Sequence, residues 1–142
     1  AAAGGVDFSK KHKGIGNVEH AWRSVPVVFK DGVPSINLRQ LADQWKQPAD
    51  RVVYYFAVNL QSNADQDATL SIGSDDGIQV WLNGVKVHDH AVTRPLVIGQ
   101  DKVSVKLKAG KNQILLKLDQ GEGDAGLSLS AEARQNVSFT LP

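Results

Sequence analysis

The chain contains no cysteine and no methionine. Without cysteine there is no disulfide framework, no thiolate zinc site and no thiol nucleophile, and the redox compartment stays open. Long apolar runs are also missing, since none approaches the roughly 20 residues that a membrane-spanning helix needs. Nor does charge of one sign dominate: 16 Lys plus Arg stand against 15 Asp plus Glu in 142 residues, a formal +1. That balance provides no broad field to attract nucleic acid or an anionic membrane. The short basic run Lys10, Lys11, His12, Lys13 reads as a solvated tail. The opening Ala1-Ala2-Ala3-Gly4-Gly5 lacks the charged and apolar regions of a signal peptide, which leads us to expect a processed chain or a segment of something larger. A flexible N-terminus over residues 1 to 5 and a single domain over residues 6 to 142 are expected.

What the sequence does have is alternation. From Arg51 onward apolar residues recur with a period of two, as in strands with one face on a core and the other in water. Val52, Tyr54, Phe56, Val58 and Leu60 share a face, and the opposite face of the same run is apolar enough to be covered as well. The inward set continues with Leu70 and Ile72, then Ile78, Val80 and Leu82, then Val85 and Val87. Val103, Val105 and Leu107, Ile114, Leu116 and Leu118, and Leu127 and Leu129 complete it. Asp76-Gly77, Asn83-Gly84 and residues 109 to 112 read as tight turns between such strands. Only residues 37 to 45 show helical spacing, through Leu38, Leu41 and Trp45, and Pro26 interrupts an early strand. The fold expected is all-β, an antiparallel β-sandwich with at most one short helix.

The polar candidates lie in "SDDGIQVWLNGVKVHDH", residues 74 to 90. Asp75 and Asp76 are a poor acid and base pair, because adjacent residues of an extended chain point to opposite faces. If the chain bends so that they converge, about 4 kcal/mol of repulsion at 4 Å and an effective dielectric of 20 invites a cation. Calcium is the natural one, being hard and tolerant of irregular oxygen geometry. The alternative is that both residues simply begin a turn. Trp81 is phased outward and offers a flat apolar platform for a sugar ring or a neighbouring domain. His88 and His90 have the spacing of a two-imidazole metal site, yet no third ligand is visible, so they read as a polar strand end. "GEGDAG", residues 121 to 126, matches G-x-G-x-x-G but precedes a strand and carries Glu122 and Asp124, which would repel phosphate. It reads as a loop that lends an acidic oxygen to the cation site. No nucleophile elbow or zinc-protease motif is present, and no catalytic residue is nominated.

"ATLSIGSDDGIQVWLNGVKVHD", followed about 25 residues later by "LKAGKNQILLKLDQGEGDAGLSL", resembles the core of non-catalytic sandwich modules related to the protective-antigen-type domain and to the sugar-binding domain of glycoside hydrolase family 2. The resemblance covers roughly residues 51 to 131. It implies a jelly-roll, galactose-binding-like sandwich in an exported, extracytoplasmic bacterial protein, one that binds a polysaccharide or glycan or packs against neighbouring domains. In the adhesin branch an Asp-Asp pair holds a calcium ion that binds sugar hydroxyls, and Asp75 and Asp76 occupy the matching positions. The expected carbohydrate-binding residues are Asp75, Asp76, Trp81, Asn83 and His88, and the expected calcium ligands Asp75, Asp76 and Asp124, the last chosen from the acidic loop that also holds Asp119 and Glu122.

Overall fold

A computed structural model of the chain describes residues 6–14, 19–25, 27–30 and 32–142. The expected flexible stretch at 1 to 5 and the strand break at Pro26 lie outside the described residues. The basic run at 10 to 13 is exposed and contributes to a two-stranded ribbon of β1 (His12–Lys13) and β2 (Glu19–His20).

The remaining strands form two five-stranded sheets packed as an antiparallel sandwich. The first contains β3 (Val28–Lys30), β4 (Val33–Asn37), β6 (Gln66–Asp75), β9 (Asp101–Leu107) and β11 (Gly126–Ala133), in the order β3-β4-β11-β6-β9. The second contains β5 (Val52–Ser62), β7 (Gly77–Leu82), β8 (Val85–His90), β10 (Gly110–Gln120) and β12 (Val137–Thr140), in the order β12-β5-β10-β7-β8. The inward alternation produces the core. Leu70, Ile72, Ile78, Val80, Leu116 and Leu118 are buried from both sheets, together with Leu60, Ile114 and Leu127. Burying each such side chain contributes roughly 1.5–3 kcal/mol.

The one helix among the described residues, α1 (Leu38–Gln44), falls inside the segment expected to be helical. Asn37 caps it by accepting a bond from the Gln40 N–H at 3.0 Å, and Leu38 joins the main core. Leu41 and Ala42 are buried on the same helix.

Three readings of the alternation need correction. Asn83 (φ 49°) and Gly84 (φ 83°) do make the β7–β8 hairpin, but Gly77 has no positive φ. Asp76-Gly77 is a corner where the chain leaves one sheet at β6 and enters the other at β7. The turn expected at residues 109 to 112 does join two alternating strands, β9 and β10, and it too crosses the sandwich. A turn dipeptide reverses the chain in either case, and packing decides which sheet the next strand joins. The outer face of β5 is not covered along its first half, with Val53 46% and Tyr55 54% exposed. Val85 is 66% exposed on the edge strand β8, opposite Leu82, whereas Val87 packs against the core as expected. A register shift follows, with Trp81 opposite Lys86 but Val80 opposite His88, so Val87 is an extra residue on β8.

Several crossings share one end of the sandwich. The Asp76 corner, the β8–β9 crossover at 91–100 and the β10–β11 loop at 121–125 all gather there, and the Asn83-Gly84 hairpin is at the opposite end.

Candidate functional site

Those crossings enclose an open groove of about 710 Å³, lined by Asp76, Gly77, residues 91–93 and residues 119–122. Asp76 forms its inner wall. It is 8% exposed, its Oδ1 accepts the Arg94 backbone N–H at 3.0 Å, and its Oδ2 accepts the Gly121 N–H at 3.0 Å. Its own N–H donates to the Asp119 carbonyl at 3.3 Å, and its carbonyl accepts from the Ser74 hydroxyl at 2.7 Å. One carboxylate thus ties together the corner, the β8–β9 crossover and the glycine loop. A side chain at position 121 would also crowd it, since a Cβ there would lie 3.3 Å from Oδ2.

Asp75 is the other half of the pair, and the peptide joining it to Asp76 is cis. Burial pushes its carboxyl up to about 6, with further upward pressure from the Asp76 charge, a hydrogen bond with the Asp76 carboxyl and the Asp124 charge. The charges of Asp75, Asp76 and Asp124 oppose one another, but neither Asp75 nor Asp124 lines the groove, and among the described residues their three carboxylates are not gathered within metal-ligating distance of one another. No salt bridge to Asp75 occurs among the described residues. Gln120, 4% exposed, donates from Nε2 to the Gly123 and Asp124 carbonyls at 3.2 and 3.0 Å, while its buried Oε1 has no partner. The other acidic residues near the loop are engaged elsewhere: Glu122 pairs with Arg51 at 3.0 Å and Asp119 with Lys117 at 3.9 Å.

Trp81, Asn83 and His88 are not at this groove. Trp81 is on the outer face of its sheet, half-buried, with the Lys86 ammonium 5.5 Å from the ring centroid. It is five strand residues from Asp76, or roughly 16 Å. Asn83 is at the far end of β7, where its Oδ1 accepts the Gln113 N–H at 2.9 Å and its Nδ2 donates to Asn112 Oδ1 at 3.1 Å. That amide is consumed in shaping the hairpin.

His88 and His90 do share a face, opposite Val80 and Ile78, which is the inner face at the sandwich edge. Asp101, at the start of β9 in the other sheet, meets both of them. His88 Nε2 is 3.0 Å from its Oδ2, and His90 Nδ1 is 3.2 Å from its Oδ1. Arg94 forks the same carboxylate, NH1 to Oδ1 at 3.0 Å and NH2 to Oδ2 at 2.8 Å, and also bonds the Ser74 carbonyl and hydroxyl. The guanidinium, outweighing the cost of burial, holds the Asp101 carboxyl well below the usual carboxylate range, with His88 and His90 adding to the effect. Sequence reasoning missed Asp101 and Arg94. The available signal was phase, since Asp101 extends the inward set Val103, Val105, Leu107 one step back.

The fold and groove define an all-β sandwich protein with an acidic cleft at one end. No family model matches the chain, and no curated protein matches it. Among solved structures, the chain is similar to a GH31 α-xylosidase from Xanthomonas citri, with a TM-score of 0.46 and 12% identity, covering 74% of this chain and 14% of that one. The chain thus spans a small part of that enzyme's length, and a likeness of that size carries no functional argument.

Proposed function

We propose that the protein is a non-catalytic carbohydrate-binding sandwich module of an exported protein, of the protective-antigen-type kind its sequence resembles, and that the groove binds glycan hydroxyls through a calcium ion. The observation that supports this reading is the Asp75 carboxyl, pushed up to about 6 by burial and by the neighbouring Asp76 and Asp124 charges, with no salt bridge to it among the described residues. A hard cation would remove that repulsion and leave coordination sites open to vicinal hydroxyls. Affinity electrophoresis of the 142-residue chain through gels of soluble polysaccharides, with calcium and with chelator, tests the reading. Retardation that chelator removes supports it, and no retardation on a broad panel overturns it.

One observation favours a second reading. Both Asp76 oxygens already accept backbone N–H groups, as a corner that only defines the fold would require. In that reading the module binds no small ligand and meets a protein partner through the exposed outer face around Trp81. Indole fluorescence would then be indifferent to calcium and to every sugar.

A further inference from the structure

We propose that His88 Nε2, His90 Nδ1 and one carboxylate oxygen of Asp101 form a binding site for a single divalent transition-metal ion of the zinc class, with water completing its coordination. This site is separate from the aspartate groove and does not rest on the glycan-binding reading.

The geometry carries the proposal. The three donor atoms all lie within 4.8 Å of one another. With Oδ2 as the Asp101 donor, two of the separations are 3.0 and 3.3 Å, against the roughly 3.4 Å between donors of a tetrahedral zinc ion with bonds near 2.1 Å. The histidines come from an edge strand of one sheet and the aspartate from an edge strand of the other, so an ion here would staple the open side of the sandwich. The cluster is reachable: the His90 side chain is 42% exposed and that of His88 22%. Asp89, between them, points to the outer face and pairs with Lys86 and Gln79, so it is not a ligand.

The protein groups alone leave His90 Nδ1 in conflict. It faces an Asp101 oxygen at 3.2 Å, which calls for a proton on that nitrogen, and Arg94 NH1 at 3.4 Å, which calls for a lone pair. A metal ion takes the lone pair and meets the carboxylate with opposite charge. Two imidazoles and one carboxylate suit zinc, cobalt, nickel or copper and are poor ligands for calcium. Arg94 opposes a dication electrostatically, so affinity should fall below that of a closed structural zinc site. Its fork also fixes the orientation of Asp101, the role outer partners of metal-ligating carboxylates play.

The test is calorimetric titration of the full chain with zinc chloride at pH 7.5. It is paired with visible absorption on adding cobalt(II) and with the imidazole nitrogen spectrum of the unmutated protein. The expected result is a single site, cobalt bands of four- or five-coordinate form, and shifts confined to the His88 and His90 rings. His88→Gln and His90→Gln should each weaken zinc by at least the roughly 10- to 100-fold that loss of a mere outer partner costs, with far-UV circular dichroism unchanged. If a variant loses its fold, the imidazole shifts of the unmutated chain decide. Zinc binding that persists unchanged in the double variant, or shifts at the cross-strand pair His12 and His20 instead, would overturn the proposal. So would the absence of heat and of cobalt bands at millimolar metal. Calcium should neither bind here nor compete, so failure of this site and failure of the groove are distinguishable.

Discussion

Replacing Asp75 with asparagine should stabilise the metal-free protein at neutral pH. The folded state holds this carboxyl at about 6, whereas an unstructured aspartate titrates near about 3.9. Below about pH 4 the group is protonated in both states and costs nothing. Between roughly pH 4 and 6 the unfolded chain ionises while the folded chain keeps its proton, so stability falls. Above that window the full cost is about 3 kcal/mol, at 1.36 kcal/mol for each tenfold change in proton affinity. Asp75→Asn keeps the size of the side chain and removes this charge. Urea unfolding in chelator should therefore show the variant about 2–3 kcal/mol more stable than the parent at pH 7.5, and equal to it near pH 4. Asp101 titrates in the opposite direction, its pairing with Arg94 being lost as pH falls, but it is common to both proteins and cancels in the difference. Calcium should close the gap by stabilising only the parent, by about 2.7 kcal/mol at a hundredfold excess over its dissociation constant. A variant less stable than the parent at pH 7.5 without calcium, or a difference that does not change from pH 4 to 7.5, would refute the reasoning.

Other expectations follow from the same geometry. Asp101→Ala leaves the nearly buried Arg94 guanidinium without its partner and should cost about 3 kcal/mol or more in chemical denaturation. Asn112→Ala removes a fully buried amide that donates to the Leu60 and Lys108 carbonyls and accepts the Lys108 N–H, and should cost roughly 2–4 kcal/mol. Leu116→Ala, in the centre of the core, should cost about 2–5 kcal/mol by the same measurement. Trp81→Ala should leave chelator-sensitive retardation in polysaccharide gels unchanged, because the ring is on a different face from the groove.

Alternation alone made the layers legible, because half-covered strands must bury every second side chain. Ile78, Val80 and Leu82, or Ile114, Leu116 and Leu118, announce their inward face without reference to any neighbour. Sheet membership was not legible in the same way. Asp76-Gly77 and Asn83-Gly84 both look like hairpin turns, yet one crosses the sandwich and the other stays within a sheet. The difference arises from long-range pairing, β6 with β9 and β11, and β7 with β8 and β10. The site divides along the same line. The Asp75 and Asp76 pair stands in two consecutive letters, whereas the partners that give Asp76 its place, the N–H groups of Arg94 and Gly121, come from segments 18 and 45 residues away. His88 and His90 were visible as a pair, and their third neighbour, 13 and 11 residues along, became visible only when the β8–β9 crossover brought it back.

The most direct test of the calcium reading is calorimetric titration of the chain with calcium at pH 7.5, beside Asp75→Asn and His88→Gln. The account predicts one calcium site, lost in Asp75→Asn and untouched in His88→Gln. No calcium binding to the parent protein, or binding that survives Asp75→Asn, would contradict it.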